Sequence, residues 1–271
     1  MLMSTKTWRL APGSRIKLKD ADAARTPGIG NKDEAEKRLE VNREKLGELQ
    51  YRLWAEGRRS LLIVLQGTDT SGKDGVIRHV MTGMNPSGCR VTSFKKPSEE
   101  ESDRDFLWRI HKAVPARGEV GVFNRSHYED VLVARVQGLV PAAVWRARYD
   151  QINEFEELLV ESGTTIIKCF LHISKAEQKE RLLARLNDPA KNWKFNAGDI
   201  EERKRWPQYV KAYEDALARC GTSTAPWHVI PSDRKWYRNW AVSELMVRAL
   251  EAMAPRPPAG KLKASQFFIG D

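Results

Sequence analysis

The stretch Leu-Leu-Ile-Val-Leu-Gln-Gly-Thr-Asp-Thr-Ser-Gly-Lys-Asp-Gly from Leu61 to Gly75 leaves this chain few folds to choose from. An unbroken apolar run reads as a strand buried on both faces, and it leads at once into a glycine-flanked turn, a lysine and a helical pattern carried by Val76, Ile77, Val80 and Met81. Such a turn points its backbone N–H groups inward around an anion, while glycine permits close approach and the lysine adds a mobile positive charge. Gly67, Thr70, Ser71, Gly72, Lys73 and Asp74 are therefore the candidate phosphate-binding residues. At average composition the spacing G-x-x-x-x-G-K recurs by chance in roughly one chain in ten of this length. The strand before it and the helix after it, rather than the spacing, identify a phosphate loop. Asp74 stands where the common pattern has Ser or Thr, so the usual metal-binding hydroxyl is replaced.

Strands alternating with helical patterns predict an α/β fold of the three-layer P-loop kinase kind, with a five-stranded parallel sheet flanked by helices and a helical lid. The strands are expected at Leu61–Leu65, Arg90–Phe94, Glu119–Phe123, Thr164–Ile173 and Ala225–Pro231. Residues 1–30 read as an N-terminal arm that lies against the domain or across a polyanion, 31–255 as the kinase domain, and 256–271 as a surface tail. Asn31 with Glu34 starts a helix to about Glu56 whose Leu39, Leu46, Leu49 and Leu53 form one stripe, and Gly57 closes it. Pro141 opens a second long helix, ended by Gly163.

Chemistry-bearing residues gather where these strands end. Lys95 and Lys96 follow the second strand, and Lys96 is a candidate phosphate ligand at that edge. The third strand runs into Asn124-Arg125-Ser126-His127-Tyr128-Glu129-Asp130. Asn124 occupies the position where a P-loop fold ordinarily has a metal-positioning Asp, so Glu129 and Asp130, just inside the following helix, become the metal candidates. Ser174 and Glu177 cap a helix carrying Arg181 and Arg185 on one face, placed to clamp a transferring phosphoryl group. The polar, tryptophan-bearing segment from about 187 to 210 is the expected lid.

Charge narrows the partners. With 46 Lys and Arg against 36 Asp and Glu, the 271-residue chain has a net charge of +10, which favours polyanions. Its start lacks the apolar core of a signal peptide and no run is long enough to cross a bilayer, so a cytoplasmic protein with no membrane partner is expected. Three scattered cysteines show no metal spacing.

Together, Gly67–Gly75, Phe123–Asp130 and the lid stretch Lys191-Asn-Trp-Lys-Phe195 resemble the family-2 polyphosphate kinases over most of the chain. The resemblance implies Mg²⁺-dependent, reversible phosphoryl transfer between inorganic polyphosphate and nucleotides, with Mn²⁺ as an alternative metal. Carried over by position, Asp69, Lys73 and Arg125 match catalytic residues of the family, and Arg185 and Asp199 match functional positions at the lid edge. Asn124 followed by Glu129 and Asp130 looks like the subgroup acting on AMP as well as ADP, and guanine nucleotides remain open. Asp69 and Asp130 are the expected metal ligands, and Lys73, Arg125, Arg181, Arg185 and Glu129 complete the expected catalytic set. A homo-oligomer, dimer or tetramer, is expected. The competing reading is a nucleic-acid-directed P-loop kinase or ATPase that uses the basic surface and lid tryptophans to hold a strand; nucleic acid is not the favoured partner. A binding module with a degenerate loop is a third.

Overall fold

In the computed structural model, residues 8–260 are described; residues 1–7 of the expected arm and 261–271 of the expected tail lie outside them. The element order is α1 (Lys32–Glu56), β1 (Ser60–Gln66), α2 (Lys73–Val80), β2 (Cys89–Ser93), α3 (Glu99–Ser102), α4 (Trp108–His111), β3 (Val120–Asn124), α5 (Val133–Val136), α6 (Ala142–Glu161), β4 (Thr164–His172), α7 (Lys175–Asn187), α8 (Gly198–Lys204), α9 (Trp206–Arg219), β5 (Trp227–Pro231) and α10 (Lys235–Met253). All five strands are parallel, in the order β2-β3-β1-β4-β5. The chain runs out from β1 to β2, returns through β3, then crosses to β4 and β5. The carboxyl end of β1 therefore lies where the order switches and a crevice opens.

The apolar run of β1 is buried along its whole length because both faces of the sheet are covered. Leu61, Ile63 and Leu65 pack with Leu39, Leu46 and Leu53 of α1 and Trp240 and Leu245 of α10. Leu62 and Val64 belong to the opposite layer, with Phe123, Tyr149, Ile152, Phe155 and Leu217. Side chains alternate across a strand, so one continuous apolar sequence serves two cores. α1 starts as its sequence dictates. Asn31 Oδ1 accepts from Glu34 N at 2.9 Å, Glu34 Oε2 accepts from Gly30 N at 3.0 Å, and Gly57 closes the helix in the left-handed region at φ 62°.

The described part of the arm lies against the domain. Val229 N donates to Trp8 O at 2.9 Å and Leu10 N to Trp227 O at 2.9 Å, so the arm covers the open edge of β5. Trp8 Nε1 donates to Tyr237 Oη at 2.8 Å and its ring meets Trp240 edge-on. α3, capped by Ser98, is a single turn, Glu99–Ser102, with a complete capping box. One element differs from expectation. Glu129 and Asp130 lie on a 3₁₀ turn, His127–Asp130, rather than inside a helix.

That turn is anchored by a charge buried in the sheet. Lys168 on β4 is fully buried and donates to Glu156 of α6, to Tyr128 Oη at 2.9 Å and to Cys220 O at 2.6 Å, so all three ammonium protons are placed. Glu156 Oε1 also accepts from Tyr128 Oη at 2.9 Å and lies 3.2 Å from His127 Nε2. Removing one partner of a buried pair strands the other. Lys168→Met is expected to lower unfolding free energy in urea by about 3–5 kcal/mol, and the double variant Lys168→Met, Glu156→Leu to recover most of it. A single-variant loss under about 1 kcal/mol would show that the pair is not what holds the turn.

Candidate active site

Turning a loop's N–H groups to one side sends its carbonyls to the other, and four of the carbonyls from Gly67 to Ser71 find a cation. Lys73 Nζ donates to Gly67 O at 2.7 Å and Thr68 O at 3.3 Å. Arg181 Nη1 donates to Thr70 O at 2.8 Å and Ser71 O at 3.3 Å. Two glycines make the bend possible. A Cβ on Gly67 would meet Leu171 O at 2.8 Å, and Gly72, at φ 103°, occupies left-handed backbone at the start of α2. Thr70 adopts φ 64° without being glycine, as does Arg125. Such strain concentrates at functional sites.

The hydroxyls of Thr68, Thr70 and Ser71 are buried and have no hydrogen-bond partner among the described residues. Buried polar groups are nearly always satisfied, so three orphans in one loop point to a ligand rich in acceptor oxygens. Lys73 is 8% exposed, and burial, reinforced by the charge of Arg125, pushes its pKa down to about 8 against the pull of Asp69, Glu129 and Asp74. Asp74 and Asn124, the two departures from the common pattern, are each other's partners: Asn124 Nδ2 donates to Asp74 Oδ1 at 2.6 Å. An aspartate at 124 would set two carboxylates against each other.

Arg125 follows β3 directly and bridges the carboxylates of Asp69, at 2.8 Å, and Glu129, at 3.7 Å. Burial raises the pKa of Glu129, opposed by Arg125 and Lys73. Asp130, expected to share a metal with Asp69, faces elsewhere: its carboxylate pairs with Arg148 at 3.2 Å and Arg109 at 3.9 Å. The 3₁₀ turn directs the consecutive carboxylates of Glu129 and Asp130 to different sides. Asp69 has Glu129 as its neighbour instead, and its charge also raises Asp199, after burial.

The two arginines of α7 also separate. Arg181 is 8% exposed and spends its guanidinium on Glu177, on Thr70 O and Ser71 O, and on Ser232 O and Asp233 O. It supports the loop from behind and does not clamp a phosphoryl group. Arg185, one turn on, is half-buried and 3.9 Å from Asp199. Lys96 is exposed just past β2, in a shallow basic depression with Arg90, Lys95 and Lys112. It does not join the loop cluster.

Sequence reading missed the wall of the cleft opposite the loop. Gly67, Asp69, Arg125 and Glu129 face Gln178 of α7 and Trp206, Tyr209 and Tyr213 of α9. Trp206, Tyr209 and Tyr213 recur at helical spacing, the one signal that marked that face. Gln178 Nε2 donates to Asp69 O at 3.3 Å, and Gln178 Oε1 accepts from Arg203 Nη1 at 2.7 Å, which ties α8 to the loop. Hard oxygen donors suit Mg²⁺, which takes one or two carboxylates and fills its shell with water and substrate phosphates. Asp69 and Glu129 fit that requirement, and no three such side chains converge as a metal cluster among the described residues.

A sequence profile of the family described as Polyphosphate kinase 2 matches residues 30–258. The chain is 49% identical over 265 residues to an AMP/ADP-polyphosphate phosphotransferase of Meiothermus ruber, covering 97% of this chain and 99% of that one. It is 41% identical over 265 residues to an ADP-polyphosphate phosphotransferase of Rhodopseudomonas palustris, covering 93% and 92%. The crystal structure of polyphosphate kinase 2 from Arthrobacter aurescens TC1 superposes with a TM-score of 0.94 at 45% identity, over 98% of this chain and 95% of that one.

Lys73 gives the site a pH dependence. An anion needs the lysine protonated, so affinity is full below its pKa and declines as pH rises through about 8. Titration calorimetry with tripolyphosphate is expected to show affinity falling by up to about tenfold per pH unit above that point. The Lys73→Arg variant, charged throughout, should lack this component. Equal slopes in the two proteins would exclude Lys73 as the titrating group.

Proposed function

The chain belongs to the polyphosphate kinase 2 family, and we propose that it transfers phosphoryl groups between inorganic polyphosphate and adenine nucleotides, taking AMP to ADP and ADP to ATP. The observation that carries this reading is the phosphate loop with its buried Lys73 and three unpartnered hydroxyls, flanked by the half-exposed Arg125. The relative from Meiothermus ruber, whose name joins AMP and ADP, matches at higher identity than the one named for ADP alone, which supports both acceptors.

No general base is needed. A nucleotide's terminal phosphate has a second pKa of about 6 and is already anionic at neutral pH. One of its oxygens attacks the terminal phosphorus of the polyphosphate, a new P–O–P bond forms, and the old one breaks to release a chain one unit shorter. One anhydride replaces another, so the reaction runs in both directions.

The obstacle is repulsion between two polyanions. Lys73 and Arg125 neutralise charge where the transition state spreads it over the equatorial oxygens, and Arg185 adds to this from the edge of the 187–210 segment, which closes over the donor as a lid. Asp69 and Glu129 would hold Mg²⁺ or Mn²⁺, which would supply charge neutralisation for the phosphates. Asp69 also orients Arg125 through their ion pair. Val41, Tyr51 and Trp54, exposed along α1, support a homo-oligomer, and a cytoplasmic location is part of the same proposal; no helix among the described residues is long and apolar enough to cross a membrane.

A coupled assay with purified protein, polyphosphate and Mg²⁺, offering AMP, ADP, GMP and GDP in turn, tests the reading. ATP formed from ADP without added ATP is expected; oligonucleotide-stimulated ATP hydrolysis with no transfer from polyphosphate would overturn it. Lys73→Ala and Asp69→Asn should each lower turnover by at least about a hundredfold, and near-wild-type transfer in either would remove them from the chemistry. Asn124→Asp should shift the AMP-to-ADP ratio, because it replaces an amide donor to Asp74 by a second carboxylate; an unchanged ratio would make Asn124 a structural substitution only.

A further inference from the structure

Behind the phosphate loop lies a second arginine that local sequence gives no reason to connect with it. Arg238 of α10 is 2% exposed, and its Nη1 donates to Ser71 O at 3.2 Å, the carbonyl that Arg181 also serves. Its remaining bonds go to the amide oxygen of Asn239, 3.2 Å from Nε and 2.8 Å from Nη2. A Cβ on Gly72 would lie 1.7 Å from Nη1, and one on Gly75 2.7 Å from Nη2. The guanidinium fills the room that side chains at both positions would take, flat against the backbone where α2 begins.

The charge accounting around it does not close. Arg125 is paired with Asp69 and Glu129, and Arg181 with Glu177. Arg238 has no carboxylate partner among the ion pairs of the described residues. Burial and the like charge of Arg181 push its pKa down to about 9, which leaves it charged at neutral pH. It also stands beside the N-terminal end of α2, whose dipole is positive there. A buried cation without a counter-charge is strongly unfavourable. A chain that retains one next to an anion-binding loop has its counter-ion outside the protein.

We propose that Arg238 is a positioning residue for the polyanionic donor: with Arg181 it fixes the carbonyls of the loop on the rear side, and its uncompensated charge is balanced by the phosphate bound in front. It does not touch the reacting atoms. Its field acts on ground state and transition state alike, so it sets donor affinity rather than turnover. This rests on the reading of the chain as a polyphosphate-using kinase.

Steady-state kinetics of Arg238→Gln, which keeps polar atoms and removes the charge, test the inference. The KM for polyphosphate should rise about tenfold or more, with kcat and the KM for ADP each within about threefold of wild type. Arg238→Lys should recover most of the lost affinity. Without ligand, the melting temperature of Arg238→Gln should not fall, because an uncompensated charge has been removed, while the rise in melting temperature given by tripolyphosphate should shrink. An unchanged polyphosphate KM, or equal rises in both KM values as a collapsed loop would give, overturns the inference. Should Arg238→Gln not fold, Gly75→Ala carries the test: its methyl group displaces the guanidinium, and an unchanged polyphosphate KM there overturns the inference equally. A wild-type protein that makes no ATP from polyphosphate would bring down the functional reading itself, whereas wild-type turnover with unaltered variants overturns this inference alone.

Discussion

A loop that aims its peptide N–H groups at a ligand must dispose of its carbonyls on the far side, away from water. This requirement shapes more of the molecule than the ligand contacts do. Lys73 takes Gly67 O and Thr68 O, and Arg181 takes Thr70 O and Ser71 O, with Arg238 sharing the last. Three cationic side chains from three helices therefore serve four of the carbonyls from Gly67 to Ser71, the amide of Gln178 taking Asp69 O, so satisfying them also charges the wall behind the anion. The glycines follow from the same crowding: Gly72 and Gly75 leave room for a guanidinium as much as for a turn.

The opposite wall depends on a second buried arrangement. The turn after β3 carries Arg125 and Glu129 toward the loop, and Tyr128 and His127 within it are held by Glu156 and, through Tyr128, by Lys168. An ion pair in the sheet layer thus fixes the spacing between Arg125 and Asp69 without touching either. Burial pushes the pKa of Tyr128 well up, so its hydroxyl stays protonated and donates to Glu156.

What could be read from the residues follows from range. The strand, loop and helix around Gly67–Gly75, the cap at Asn31 and the αL closure at Gly57 are local arrangements, and periodicity with turn chemistry specifies them. Asp130 and Arg181 were misplaced because adjacent candidates differ only in direction. In a 3₁₀ turn, Glu129 and Asp130 diverge, and on one face of a helix two arginines four residues apart are still about 6 Å apart along the axis. That is the distance between supporting the loop from below and standing at its mouth. Trp206, Tyr209 and Tyr213 gave only a helical stripe, which any core-facing helix shows. Arg238 gave nothing local; its contact with Ser71 exists only after the chain has crossed the whole sheet.

That distance in sequence bears on how the protein is made. The residues of the phosphate loop leave the ribosome early, but Arg238, which backs it, and Tyr237, which receives Trp8 of the arm, belong to the last helix. At about 5–20 residues per second, translation between Gly75 and Arg238 occupies roughly ten to thirty seconds. Throughout that interval the nascent chain carries the loop's sequence without the cation of α10, and for its first part without that of α7 as well. The support behind the site is thus among the last parts of the described chain to be completed, since Arg238 reaches Ser71 O only once α10 has docked.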